Sequence, residues 1–270
     1  MLKRCYDIAS AMQDEPGQCQ TLGKLANIYY LKGDFATAID SLKKQLSLAQ
    51  AMGDSAGEAA TCGNLGAVFA SLDQHDDALN MFQMHIDLAQ NLGDVSGQAQ
   101  TCLNMATSFE KLGMQEEMIE CLGKVRQLTH QLSDYAGQAE ASGRLAAVLI
   151  AAGHLENGMT FLAESVELFE SCGMVEQQGQ ALQTLGMLRL GRGNCSQALE
   201  YLVRAKDIAM RLNKTAALGK ICANLGIVKL RLGAYNEAIE LQETAQSISV
   251  MLNDLPAQAA ALGNLGHLPN

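Results

Sequence analysis

Seven polar residues stand forty positions apart along this chain: Lys24, Asn64, Asn104, Arg144, Thr184, Asn224 and Asn264. Four of them are Asn, whose carboxamide offers donors and an acceptor together. That combination suits the main chain of an extended peptide, which carries the complementary pair at nearly every residue. Positions three and four residues away on a helical face add Gln20, Gln100, Glu140, Gln180 and Lys220 on one side. On the other side they add Asn27, Thr107, Met187 and His267, then Lys111 and Arg231. Arg144, Lys220 and Arg231 are the cations suited to an acidic or phosphorylated group. The competing reading is structural: each Asn bonds a neighbouring helix inside a stack and meets no ligand.

The remaining reactive residue types do not form a familiar constellation. His75, His85, His130, His154 and His267 are scattered, and none belongs to HExxH or to a His/Cys set with metal spacing. No GxSxG, Walker loop or GxGxxG ahead of a helix occurs; Gly191-Arg192-Gly193 reads as a turn. Asp76-Asp77 and Glu116-Glu117 open helices, where acids suit the helix dipole better than they suit catalysis. The expectation is a chain with no catalytic residue, no metal and no cofactor. Cys62, Cys102 and Cys222 share a repeat position with Leu22, Ser142, Leu182 and Leu262. Such a position wants a small buried residue, so the thiols read as reduced and intracellular. With no apolar leader following Met1-Leu2-Lys3-Arg4, a cytoplasmic protein is expected.

The elements that must position the polar row follow from its neighbours. Leu25, Leu65, Met105, Leu145, Leu185, Leu225 and Leu265 come directly after it, and Gly or Ala comes after each of those. A fixed period of this size means stacked units in place of one core. In residues 55–92, Ala59, Cys62, Leu65, Phe69 and Leu72 make one apolar helical stripe, and Ala78, Phe82, Ile86, Ala89 and Leu92 make a second. The break between such helices carries Gly33, Gly113, Gly153, Gly193 and Gly233, with Asp73 as the exception. Second helices end at Gly53, Gly93, Gly173, Asn213 and Asn253, residues that tolerate a left-handed cap. Asp14, Asp54, Asp94, Asp134 and Asp254 then offer N-caps to the helices that follow. Gly within a helix costs about 1 kcal/mol relative to Ala, so the Gly/Ala row predicts close helix approach.

The predicted class is all-α: a superhelical α-α solenoid of antiparallel helix hairpins. Residues 1–12 read as a second helix alone. Six full repeats span 15–52, 55–92, 95–132, 135–172, 175–212 and 215–252, and 255–268 read as a first helix alone. Leu2, Ile8, Leu262 and Leu265 lack the polarity of end caps. This predicts a piece of a longer array, or end-to-end self-association.

A net charge of −10 argues against nucleic acid as partner. The charge is uneven: residues 55–188 carry seventeen acids and four bases, whereas 189–231 carry nine bases against Glu200 and Asp207. An acidic partner near repeats 4–6 is therefore expected, the alternative being a solvated charge run. Arg204 and Arg211 fall on second helices and are expected to face outward. No run of 18 apolar residues occurs, so no membrane span is expected. Of the 13 methionines, Met105, Met118 and Met251 fall on core rows and read as gap-fillers.

Asn64-Leu65-Gly66, Asp73 at the turn, Ala78 and Phe82 resemble the tetratricopeptide repeat signature. The usual unit has 34 residues; here both helices are longer. Gly53-Asp54, Gly63-Asn64-Leu65-Gly66 and Leu88-Ala89-Gln90-Asn91-Leu92-Gly93-Asp94 are similar to the long-repeat subclass found in the LGN/Pins G-protein-signalling modulators. Kinesin light chains and bacterial repeat regulators have similar units. The resemblance implies that first helices line a concave face. It puts Lys24, Asn64, Asn104, Arg144, Asn224, Asn264, Gln100, Gln180, Lys220 and Arg231 on a groove for a protein or peptide ligand. The function it implies is a non-catalytic interaction scaffold, with adaptor or cytoskeletal-anchoring proteins among the partners. Alternatives are a self-assembling structural segment, or the regulatory repeat region of a larger enzyme or transcription regulator. The Gαi-binding segments of LGN/Pins have no counterpart in this sequence.

Overall fold

The computed structural model describes residues 1–266, and every regular element among them is an α-helix. The chain divides into two compact units, Met1–Gly137 and Gln138 onward. The first holds α1 (Leu2–Ala11), α2 (Glu15–Leu31), α3 (Phe35–Met52), α4 (Ser55–Ser71), α5 (His75–Leu92), α6 (Val95–Leu112) and α7 (Gln115–Gln131). The division falls in the first turn of α8 (Tyr135–Ala151). The second unit continues through α9 (Leu155–Ser171), α10 (Val175–Gly191), α11 (Cys195–Arg211), α12 (Thr215–Arg231), α13 (Tyr235–Met251) and α14 (Leu255–Gly266). Helix α14 ends the described part, so the predicted element 255–268 is described only to Gly266, and His267 lies outside the described residues.

Within each unit, consecutive helices pack as antiparallel hairpins, α2 on α3, α4 on α5 and α6 on α7 in the first, α10 on α11 and α12 on α13 in the second. The chain reverses through left-handed residues, as the sequence predicts: Gly33 has φ 76° and Asp73 φ 57°. The Asp side chains start the next helix. Asp54 accepts from the Gly57 amide at 2.9 Å and Asp94 from the Gly97 amide at 2.8 Å, which satisfies one of the orphan N–H groups of each first turn.

Cores form where the two apolar stripes of a hairpin meet. In the first unit Ala26, Leu42, Leu65 and Val68 pack together; in the second a larger cluster includes Leu162, Leu182, Leu185, Leu202 and Leu225. The Gly/Ala row has the predicted reason. A Cβ on Gly66 would stand 2.5 Å from the Phe82 ring, and one on Gly186 would stand 2.5 Å from Leu202 Cγ. Large residues on second helices thus press into the glycine side of first helices. At this second-helix position the last hairpin differs, for Gln242 is buried there and donates to the Ala223 carbonyl at 2.9 Å.

Four core expectations fail. Leu72 and Leu92, the final residues of the two stripes in 55–92, are 37% and 47% exposed because they stand at the ends of α4 and α5. Met251 is 66% exposed, because it is the last residue of α13 and the apolar stripe has already turned away from the hairpin. Leu262 is 53% exposed, although Leu22, Cys62, Leu182 and Cys222 at the same repeat position are buried, because no second helix packs on α14 among the described residues.

Candidate functional site

First helices carry the polar row, and the i+1 Leu explains its placement. Burying Leu65 and Leu225 in the hairpin turns the preceding residue roughly 100° away from the core axis. The row is therefore accessible: Lys24, Asn64 and Thr184 are exposed, and Asn104, Arg144, Asn224 and Asn264 are half-buried. Gln100, Gln180, Lys220 and Arg231 are exposed beside it.

In the first unit, Lys24 and Asn64 line a cleft of about 480 Å³ between α2 and α4, together with Asn27 and Tyr30. The Tyr30 hydroxyl and the Ser71 hydroxyl are 2.9 Å apart at its edge. One repeat further, the Gln100 amide donates to Asn104 Oδ1 at 3.3 Å, so two predicted site residues bond each other along α6. In the second unit, Lys220 and Asn224 line a cleft of about 560 Å³ with Met187 and Leu252. Gln180 lines a neighbouring cleft of about 390 Å³. Arg144 lies in α8 and makes interactions of its own.

Two predicted site residues are committed inside the stack. Asn264 Nδ2 donates to Gln242 Oε1 at 3.4 Å, which is the structural role set against the ligand-binding one. Arg231 Nη1 donates to the Leu190 carbonyl at 2.9 Å, where a cation complements the C-terminal end of α10. The basic run is also largely occupied. Arg204 pairs with Glu170 at 2.9 Å, Lys214 with Glu176 at 2.8 Å and Lys229 with Glu237 at 2.6 Å. The first two pairs join successive repeats, and exposed pairs of this kind contribute little each.

A second row of amides escaped the sequence reading. Gln98 donates to the Ala89 carbonyl at 3.3 Å and Gln258 to the Ser249 carbonyl at 3.2 Å, each tying a first helix to the open end of the helix before it. The signal was available, since Gln18, Gln98, Gln138, Gln178 and Gln258 recur at forty-residue spacing.

The buried thiols do not suit nucleophilic work. Burial pushes Cys62 and Cys121 up to about 11, and Cys102 and Cys222 are raised by burial too. At neutral pH these sulfurs are protonated and behave as small apolar groups. Burial lowers the pKa of His85, whose Nδ1 lies 2.6 Å from the Thr101 hydroxyl. Among the described residues no three His, Cys, Asp or Glu side chains gather where they could hold a metal ion. No helix among them is long and apolar enough to cross a membrane.

Comparison with known proteins agrees with this architecture. Residues 17–91 match a tetratricopeptide repeat family model, and residues 184–250 match the model of anaphase-promoting complex subunit 5. No curated protein matches the sequence. Among solved structures, the chain is similar to the apo form of RapI, with a TM-score of 0.63 and 11% identity, over 92% of this chain and 99% of that one. It is similar to BtubC (BKLC) from P. vanneervenii, with a TM-score of 0.60 and 16% identity, over 94% and 92% of the two chains. It also resembles a Rap protein complexed with Competence and Sporulation Factor, with a TM-score of 0.50 and 15% identity, over 92% and 74%. At these identities the likeness speaks for the fold. Residues 17–91 carry tetratricopeptide-type repeats, and the fold of the chain is similar to that of the tetratricopeptide solenoids.

Proposed function

We propose that this chain is a non-catalytic protein-interaction scaffold that holds an extended or helical segment of a partner against the first-helix faces of its repeats. The observation that carries this reading is the accessibility of the polar row at the lips of clefts: Lys24 and Asn64 in one unit, Lys220 and Asn224 in the other. Asn side chains hold main chain, and cations choose acidic residues. The Rap protein solved with Competence and Sporulation Factor supports a partner-binding role for this fold, and the match to a subunit of a large complex agrees with it. The 40-residue unit, similar to that of LGN/Pins, favours an adaptor-type partner. The free, largely buried thiols suit a reducing cytoplasmic setting.

The test is selection of random linear peptides on the full chain, followed by affinity measurement. Asn64→Ala with Asn224→Ala is expected to weaken selected peptides by about tenfold, the equivalent of roughly 1.4 kcal/mol. Arg144→Glu with Lys220→Glu is expected to remove acidic peptides. Failure to select any peptide rejects the scaffold reading. The exposed Leu262 favours a second reading, self-association through α14. Light scattering that grows with concentration would support it, and a constant monomer mass would reject it.

A further inference from the structure

Two clefts of the second unit are one cleft built twice. Gly179, Ile208 and Leu212 line the first; Gly219, Ile248 and Leu252, each forty residues later, line the second. The repetition has a cause in the sequence. In earlier repeats the glycine position holds Cys19, Ala59, Ala99 and Ala139, and the isoleucine position holds Leu48, Leu88, Leu128 and Leu168. Only in these two repeats do Gly and Ile occur together. A Cβ on Gly179 would stand 2.7 Å from Ile208 Cγ2, and one on Gly219 would stand 2.8 Å from Ile248 Cγ2. The branched methyl occupies the glycine side of the helix and accompanies a hollow of about 390 Å³ in one repeat and about 560 Å³ in the next. A glycine within a helix weakens it, and Gly179 and Gly219 are each the fifth residue of theirs, so the same costly pair occurring twice, with the same opening, points to use.

The rims differ in charge. At the first cleft the Glu176–Lys214 ion pair stands at the mouth. At the second, the equivalent residues are Ala216 and Asp254, and Asp254 Oδ1 caps α14 by accepting from the Ala257 amide at 3.1 Å. Lys220 replaces Gln180 and is exposed, with no hydrogen bond or ion pair among the described residues. It is a free cation beside an apolar hollow.

We propose that the second unit takes a linear segment of a partner protein with two bulky apolar side chains, one for each cleft, and a carboxylate beside the second that pairs with Lys220. This rests on the scaffold reading and names what its ligand must carry. Helices α10 and α12 touch, so the two clefts follow one path. Packed helices lie roughly 8–10 Å apart, which an extended chain covers in about three residues. The two anchors are expected at that spacing.

The experiment uses the full chain and random linear peptides displayed on phage. Enriched peptides are expected to share two bulky apolar residues with Asp or Glu next to one of them. Fluorescence polarisation then compares variants that restore the common pair: Gly179→Ala with Ile208→Leu, and Gly219→Ala with Ile248→Leu. Each is expected to weaken binding about tenfold, and both together about a hundredfold. Lys220→Glu is expected to weaken it about tenfold at low salt, and less at high salt. Equal affinity of enriched peptides for both filled variants overturns the two-anchor proposal and leaves the scaffold reading standing. No enrichment of any peptide overturns the scaffold reading and the proposal with it. Should a filled variant melt early, the methyl resonances of Ile208 and Ile248 in the unaltered chain decide. Both are expected to move on peptide addition, and the proposal falls if neither does.

Discussion

The two units use the same forty-residue hairpin and present different chemistry on it. In the first, helices α2, α4 and α6 begin on Asp caps, the described cleft is rimmed by Lys24, Asn27, Tyr30 and Asn64, and the second-helix core position holds Leu42, Phe82 and Leu122. In the second, α10 and α12 start at Met174 and Lys214 with no side-chain cap, the clefts set Gly179, Ile208 and Leu212 or Gly219, Ile248 and Leu252 beside the polar Gln180, Lys214, Lys220 and Asn224, and Gln242 ends the run of large apolar residues. The backbone register is common to both, so these differences are side-chain choices at fixed positions. A repeat fold separates the residues that build the stack from those that face outward, and the outward set can change from one repeat to the next with the hairpin intact.

The core position gives the largest contrast. Phe82→Ala should cost about 3–5 kcal/mol, because the ring fills the space beside Gly66 and truncation leaves a cavity. Gln242→Leu should instead change the stability of the second unit by less than about 1 kcal/mol, since the apolar burial it gains offsets the loss of two hydrogen bonds, to the Ala223 carbonyl and from Asn264. Urea denaturation of both variants checks the pair. A destabilised Gln242→Leu would mean that the bonds of Gln242 to Ala223 and Asn264 hold the last hairpin together.

Gly66→Ala comes next. Its Cβ would fall 2.5 Å from the Phe82 ring, and overpacking of this kind costs about 1–3 kcal/mol. A thermal melt unchanged from the parent would show that α4 and α5 separate freely, contrary to the packing described. Capping has a smaller effect and separates the units in opposite directions. Asp94→Ala should lose about 1 kcal/mol through its bond to the Gly97 amide, whereas Met174→Asp should gain about as much by supplying a missing cap. Calorimetry that finds both near zero would remove caps from the comparison.

Acid provides the smallest effect. Burial lowers the folded-state pKa of His85 below its ordinary value of 6.5. The unfolded chain then binds its proton first as pH falls, so the stability from the neutral imidazole is full above about pH 6.5 and declines below it. His85→Val, which installs the residue found at Val125, should flatten that decline. A melting curve whose acid sensitivity is unaltered by the substitution would assign it to other groups.

The sequence by itself determined the period, the helix termini and the face on which the polar row stands. These follow from local rules: a stripe at helical spacing, a left-handed residue at each C-terminus and an Asp that reaches an amide three residues on. Two left-handed turns were not legible, Gln13 at φ 55° and Ser133 at φ 57°, since neither side chain advertises that conformation. Tertiary structure alone decided which polar groups are spent. Asn64 and Asn264 are the same residue type in the same row, yet the second bonds Gln242, because the buried position twenty-two residues before it holds an amide where Leu42 stands before Asn64. Arg231 and Lys220 are both cations of the basic run, yet Arg231 reaches the Leu190 carbonyl one repeat away and Lys220 makes no hydrogen bond or ion pair among the described residues. Such pairings join residues some 20 to 40 positions apart. They depend on how helices stack, a relation that spacing within one helix does not encode.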